Sequence, residues 1–228
     1  MPLQSNWGRR PRRPLAPVAD TASVPCIYVL AGTNGAGKSS VGGAMFLEAG
    51  AEYFNPDEAA AEILSRNPGL SQQQANSVAW QQGKRLLERA IKEHRYFAFE
   101  TTLGGNTIPK LLDEAISAGI EVRVWYVGLE GPELHMARVR SRAAKGGHGI
   151  PESTIRERYD RSRLNLIRLM PRLSELLVYD NSIEADPSTG AAPEPKLILH
   201  MARGRVVKCC DLEAASKWTK PILAAALR

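Results

Sequence analysis

Residues Gly32-Thr33-Asn34-Gly35-Ala36-Gly37-Lys38-Ser39 satisfy the pattern G-x-x-x-x-G-K-[ST] at every required position, and Ser40 follows directly. Glycines let a backbone curl so that successive N–H groups converge on phosphate oxygens, and a helix that opens at the same point adds a favourable partial charge. Within that cradle Lys38 is expected to reach the outer phosphates and the Ser39 hydroxyl to ligate Mg²⁺, which makes Gly32–Ser40 a candidate nucleotide-binding loop. The chemistry requires a strand before the loop and a helix after it. Residues 25–31 form an apolar run rich in β-formers and 38–48 read as helical, so the context is met.

A phosphate loop specifies a nucleotide, not a reaction. No N-K-x-D guanine-reading sequence is present, which disfavours a GTPase, and no apolar run ends in the paired acids of an ATPase. Asn55-Pro56-Asp57-Glu58 follows the second predicted strand, where an α/β sheet places its ligand-facing loops. Asp57 there has two readings: a general base that accepts the proton of an attacking hydroxyl, or an N-cap of the next helix. Glu100-Thr101-Thr102 ends the third predicted strand, with Glu100 suited to binding substrate hydroxyls or holding Mg²⁺ through water. Arg138, Arg140 and Arg142 alternate so that only Arg138 and Arg142 share a helix face. The Gly146–Pro151 stretch then interrupts the helix, and Arg156, Arg158, Arg161 and Arg163 follow. Helix, glycine hinge and arginine-rich helix make a lid over about 138–163, whose arginines would stabilise charge on a transferring phosphoryl group. His148 in the hinge has no metal-like partner spacing and reads as structural.

The elements that must position these groups alternate. Strand-like runs at 51–55, 96–99, 121–127 and 176–179 are separated by helical stretches near 57–66, 71–93, 106–118, 131–143 and 151–170. That alternation predicts an α/β fold: a three-layer α/β/α P-loop NTPase arrangement with a mainly parallel sheet, a helical arginine-rich lid and a C-terminal β-hairpin. The hairpin is expected from 196–200 and 205–209 around Gly204, after a Pro/Ala/Gly-rich loop at 185–195, and a last helix over 212–227.

With 228 residues, 43% hydrophobic and 24% charged, the chain fits one domain over residues 25–228 behind a disordered basic Pro/Arg-rich tail over 1–24. The net charge is +6, but the tail holds +3 and 138–163 holds +5, leaving −2 elsewhere. Such local positive charge suits a small polyanion better than a nucleic-acid duplex. The three cysteines, Cys26, Cys209 and Cys210, are expected to be reduced thiols, and neither a signal peptide nor a membrane-spanning run is read. A soluble cytoplasmic protein without a membrane partner is the expectation.

Taken in order, residues 31–40, 54–58 and 99–103, the arginines and glycines of 138–151, residues 155–166 and 179–182 resemble the zeta toxin group of P-loop kinases, especially its short bacterial members. The resemblance covers roughly 25–182. It implies an ATP- and Mg²⁺-dependent kinase acting on a hydroxyl of a small metabolite, characteristically the sugar 3′-OH of UDP-N-acetylglucosamine. It implies Lys38 and Ser39 on phosphate and metal, Asp57 as general base, Glu100, Thr101 and Thr102 facing the substrate, and Arg142 and Arg158 as lid arginines, a place that Arg138, Arg156 or Arg161 would also suit. Toxins of the group are held by a separate helical antitoxin or a fused inhibitory domain. The 24-residue tail is too short for such a domain, which leaves toxicity open and a separate antitoxin as a candidate partner. Two other classes fit the residues: an NTP-binding regulatory module whose arginines dock an acidic protein, and a polynucleotide kinase or RNA-binding protein using the basic tail.

Overall fold

A computed structural model of the chain describes residues 24–39, 53–144, 147, 149–183 and 194–228. The predicted helix over 38–48 is therefore described only at its start, and Ser40, His148 and the 1–23 tail lie outside the described residues, as do residues 184–193 of the loop before the hairpin.

The described residues form a seven-stranded sheet in the order β2-β3-β1-β4-β5-β6-β7. Strands β1 (Cys26–Ala31), β2 (Tyr53–Phe54), β3 (Phe97–Thr101), β4 (Glu121–Gly128) and β5 (Glu175–Asp180) are parallel. Every residue of β1 is buried, as a central parallel strand with both faces covered requires. β6 (Lys196–Ala202) and β7 (Arg205–Cys209) extend the sheet antiparallel beyond β5 as the expected hairpin. The chain leaves β1 for β2 and β3 on one side and returns to β4 on the other. β1 is thus the switch point, and ligands of open α/β sheets bind beyond the strand C-termini there.

The connecting helices are α1 (Pro56–Arg66), α2 (Gln72–Lys92), α3 (Thr107–Ser117), α4 (Gly131–Ala144) and α5 (Glu152–Leu169). Ser71 and Gln74 close a reciprocal capping box at the start of α2, which sets its phase. Ala75, Ala79, Leu87 and Ala90 are buried at helical spacing, whereas the apolar Val78 on the same helix is exposed. The main core gathers Ile27, Val29, Phe97, Phe99, Tyr126, Leu166, Leu176, Trp218 and Ile222.

The last helix is shorter than expected. α6 spans only Lys220–Ala226, and residues 212–219 are turns and bends. Pro221 sits in the first turn of α6, where its missing N–H costs nothing. A helix running through 212–227 would put that ring against the carbonyl four residues back. No helix among the described residues is long and apolar enough to cross a membrane.

Candidate active site

The phosphate loop leaves β1 at Gly32, whose φ of +143° and position against β4 admit no side chain: a Cβ there would lie 2.1 Å from the Val127 carbonyl oxygen. Three polar side chains hold the loop from outside. The Asn34 carbonyl accepts from Nδ1 of His135 on α4 at 2.8 Å, and Asn34 Oδ1 accepts from Arg158 on α5 at 2.8 Å. The Ala36 carbonyl accepts from Nδ2 of Asn181, just after β5, at 2.9 Å. Arg138, on the same helix as His135, donates to the Asn181 carbonyl at 2.9 Å. The two helices of the expected lid are therefore joined to the loop through specific hydrogen bonds.

His135 is only 1% exposed and must carry its proton on Nδ1, since a carbonyl can only accept. Burial, reinforced by the charges of Lys38 and Arg138, pushes its pKa down to about 4 despite the bond to Asn34. Between that value and the unfolded value of about 6.5 the unfolded chain binds the extra proton. The contribution of neutral His135 is complete above about pH 6.5 and is lost, by up to about 3 kcal/mol, as pH falls toward 4. Urea unfolding of wild type and His135→Asn across this range should show a shallower pH slope in the variant; equal slopes would contradict the neutral buried imidazole.

Lys38 and Ser39 both turn to one carboxylate. Glu100, at the end of β3 and in register with Leu30 of β1, takes Lys38 Nζ at 3.3 Å on Oε1 and the Ser39 hydroxyl at 2.8 Å on Oε2. Lys38 is 7% and Glu100 8% exposed. A third donor, absent from the sequence reading, is the Tyr53 phenol of β2, 2.8 Å from Oε2. Burial, followed by the charge of Glu100, raises the Tyr53 pKa far above the phenolic range, so it stays a donor. Ser39 and Glu100 are the oxygen donors that would suit Mg²⁺, which commonly takes one or two protein oxygens and fills the rest of its shell with phosphate and water. A cluster of three or more His, Cys, Asp or Glu side chains suited to a metal does not occur among the described residues.

Asp57 lies in the first turn of α1, but it is not the cap: Asn55 Oδ1 accepts from the Asp57 N–H at 3.0 Å. Its carboxylate is left to the cleft, half-exposed and 3.5 Å from Arg142 of α4. Arg140 points elsewhere, to Glu152, as its place on the helix predicts. Arg156, Arg161 and Arg163 pair with Glu133, Glu157 and Asp160. Thr101 and Thr102 line the cleft, and their hydroxyls accept from the N–H groups of Leu103 and Gly104, shaping the turn after β3.

Two features of the site gave no sequence signal of their own. The turn over 102–105 is bound to α5 by buried side chains: Ser162 donates to the Thr102 carbonyl at 2.7 Å, and Asn165 Nδ2 donates to the carbonyls of Leu103 and Gly105 at 2.8 and 2.9 Å. Their helical spacing from Ile155 and Leu169 was the available clue. The second is the α2 wall. A cleft of about 680 Å³ is lined by Lys38, Asp57 and Arg158 together with Gln73, Asn76, Ser77, Trp80 and Lys84 of α2.

A parallel sheet with a glycine-rich loop at its switch point, a buried lysine and strand-end acid behind that loop, and an arginine-bearing helix pair over it define a kinase-like P-loop nucleotide-binding protein. Residues 16–185 match the family model described as Zeta toxin, and the chain belongs to that family. A protein of Haemophilus influenzae, itself uncharacterised, is 34% identical over 128 residues, 56% of this chain and 88% of that protein. Among solved structures, a chain of the AvrRxo1-ORF1:-ORF2 complex superposes with a TM-score of 0.65 at 16% identity, covering 88% of this chain and 65% of that one. The same complex with ATP gives 0.62 at 13% identity, covering 90% and 64%. A structure from the PezAT chromosomal toxin-antitoxin system of Streptococcus pneumoniae gives 0.53 at 16% identity, covering 70% and 68%. At such identities the likeness concerns the fold, and the present chain spans about two-thirds of the length of those neighbours.

Proposed function

We propose that the protein is an ATP-dependent kinase that transfers the γ-phosphoryl group to a hydroxyl of a small metabolite, a nucleotide sugar such as UDP-N-acetylglucosamine. The observation that carries this reading is the shared cleft: Lys38 of the phosphate loop and the carboxylate of Asp57, which does not cap its helix, line one space. In the transfer, the acceptor oxygen bonds to phosphorus, the bond to the ADP oxygen breaks, and the hydroxyl proton passes to Asp57. Gly32–Ser40 hold the phosphates, Lys38 lies along the outer ones, and Ser39 with Glu100 holds the metal. Mg²⁺ bound there would neutralise charge on the phosphates. Arg142 and Arg158 sit where charge develops on the transferring group, and Thr101 and Thr102 border the acceptor.

The test is transfer of labelled γ-phosphate from ATP with Mg²⁺ into a panel of nucleotide sugars, free sugars and dinucleotides. A labelled product from wild type that is absent with Asp57→Ala supports the kinase and identifies the acceptor. A folded, ATP-binding protein that labels none of them overturns the nucleotide-sugar reading. The α2 wall supports an acceptor with a flat ring, because Trp80 is 41% exposed at the cleft. Trp80→Ala should therefore raise the acceptor KM by about tenfold, the loss of one stacking contact. Its ATP KM should stay unchanged, and an equal rise in both would place Trp80 outside acceptor recognition.

The same proposal takes 25–228 as one catalytic domain with its lid over about 138–163, working in the cytoplasm. The solved neighbours are described in a complex with a second protein and in a toxin-antitoxin system. On that ground a separate antitoxin is the partner proposed here.

A further inference from the structure

Glu100 has three donors among the described residues, and they differ in what they must do next. On the kinase reading above, on which this inference rests, Lys38 turns to the phosphates and Ser39 to the metal. Both would leave a carboxylate that they hold at 3.3 and 2.8 Å. Tyr53 is given no role on phosphate or metal by that reading. It stands on β2, at the edge of the parallel strands, in register with Ala98 of β3, with its hydroxyl 2.8 Å from Glu100 Oε2. We propose that Tyr53 is the positioning residue for Glu100 in the nucleotide-bound state: its phenol is the donor that stays when Lys38 and Ser39 are drawn away, and it keeps the carboxylate aimed at the metal.

The physical argument is one of order. A buried carboxylate that loses two of its three donors would rotate or draw in water, and either outcome blurs the oxygen that a metal's fixed octahedron needs. A donor rooted in a strand paired to the carboxylate's own strand prevents this without competing for the nucleotide. On this proposal Tyr53 is a positioning residue: its bond is to Glu100, and it acts on the metal through that carboxylate.

The experiment is equilibrium binding of ATP with and without Mg²⁺, measured by calorimetry on wild type, Tyr53→Phe, Glu100→Gln and the double variant, with the full chain throughout. Phenylalanine keeps the ring, and a single cooperative unfolding transition in each variant establishes that the fold is kept. The expected result is that Tyr53→Phe leaves Mg²⁺-free ATP affinity alone and removes about tenfold of the Mg²⁺-dependent tightening. In the Glu100→Gln background the same change should have no further effect, as coupling through one carboxylate requires. Equal Mg²⁺-dependent tightening in wild type and Tyr53→Phe, or an equal loss in both backgrounds, would overturn the proposal and leave the kinase reading standing. Absence of ATP binding by wild type would overturn both, and that result is distinct from either of the others.

Discussion

Asp57→Ala should lower phosphoryl transfer by about 10²–10⁴-fold, the span that a positioned general base contributes, while ATP affinity stays close to wild type. The separation follows from where Asp57 stands. It lies in the first turn of α1, just after the second strand, and its ion-pair partner is Arg142 of α4 rather than any group of Gly32–Ser39. Both members of that pair are half-exposed, so breaking it should cost at most about 1 kcal/mol. Helix α1 also keeps its cap, because Asn55 and not Asp57 supplies it. Parallel transfer assays and ATP titrations check the result. A variant that transfers normally removes Asp57 from the chemistry, and one that no longer binds ATP makes it part of the nucleotide site.

Lys38→Ala should fail in two ways at once. Transfer and ATP affinity should both collapse, by about a thousandfold in rate if the lysine acts as a charge clamp on the phosphates. The fold should also weaken, because Glu100 would stay buried with only hydroxyl donors, at a cost of about 1–3 kcal/mol. For a chain of this size that lowers Tm by several degrees, on the order of 2–4 °C per kcal/mol. Adding Glu100→Gln separates the two effects. The double variant should regain most of the lost Tm, since charge and countercharge leave together, yet recover no transfer. If Tm does not recover, the burial of the Lys38–Glu100 pair does not govern the stability loss.

The site was legible where a residue type is chemically obligatory. Only a glycine fits at position 32, only a long cation reaches outer phosphates from position 38, and the loop needs its strand and helix, so spacing along the chain carried the information. Asp57 was legible as a choice between base and cap, and the choice turned on whether the Asn55 or the Asp57 side chain accepts the first N–H groups of the helix, which a sequence cannot express. Tyr53, Ser162 and Asn165 were illegible because their roles come from contacts across 47, 60 and 62 positions of chain. The α2 wall was hidden for a different reason. Its core-facing alanines dominate the periodicity, and the polar face that lines the cleft reads as solvated helix surface. The last helix was overextended because alanine and leucine at 212–227 suit a helix locally, while Pro221 restricts where it can begin.

The pairing of β1 with β3 has a consequence for which lengths of this chain can change. Leu30 stands opposite Glu100 and Ala31 opposite Thr101, and side chains alternate between faces along each strand. One residue lost inside β3 would exchange Glu100 with a neighbour of opposite facing and present Lys38 with phenylalanine or threonine. The exposed turn at Asn67–Gly69 between α1 and α2 sets no such register, so residues can be inserted there without moving the carboxylate. The tight Arg203–Gly204 turn is less permissive, since a Cβ at Gly204 would meet the Pro171 carbonyl oxygen at 2.8 Å. Homologues and engineered variants should accordingly vary in length at the first turn and hold it constant along β3, so that a length profile of functional insertions would trace the catalytic register without any measurement of activity on a defined acceptor.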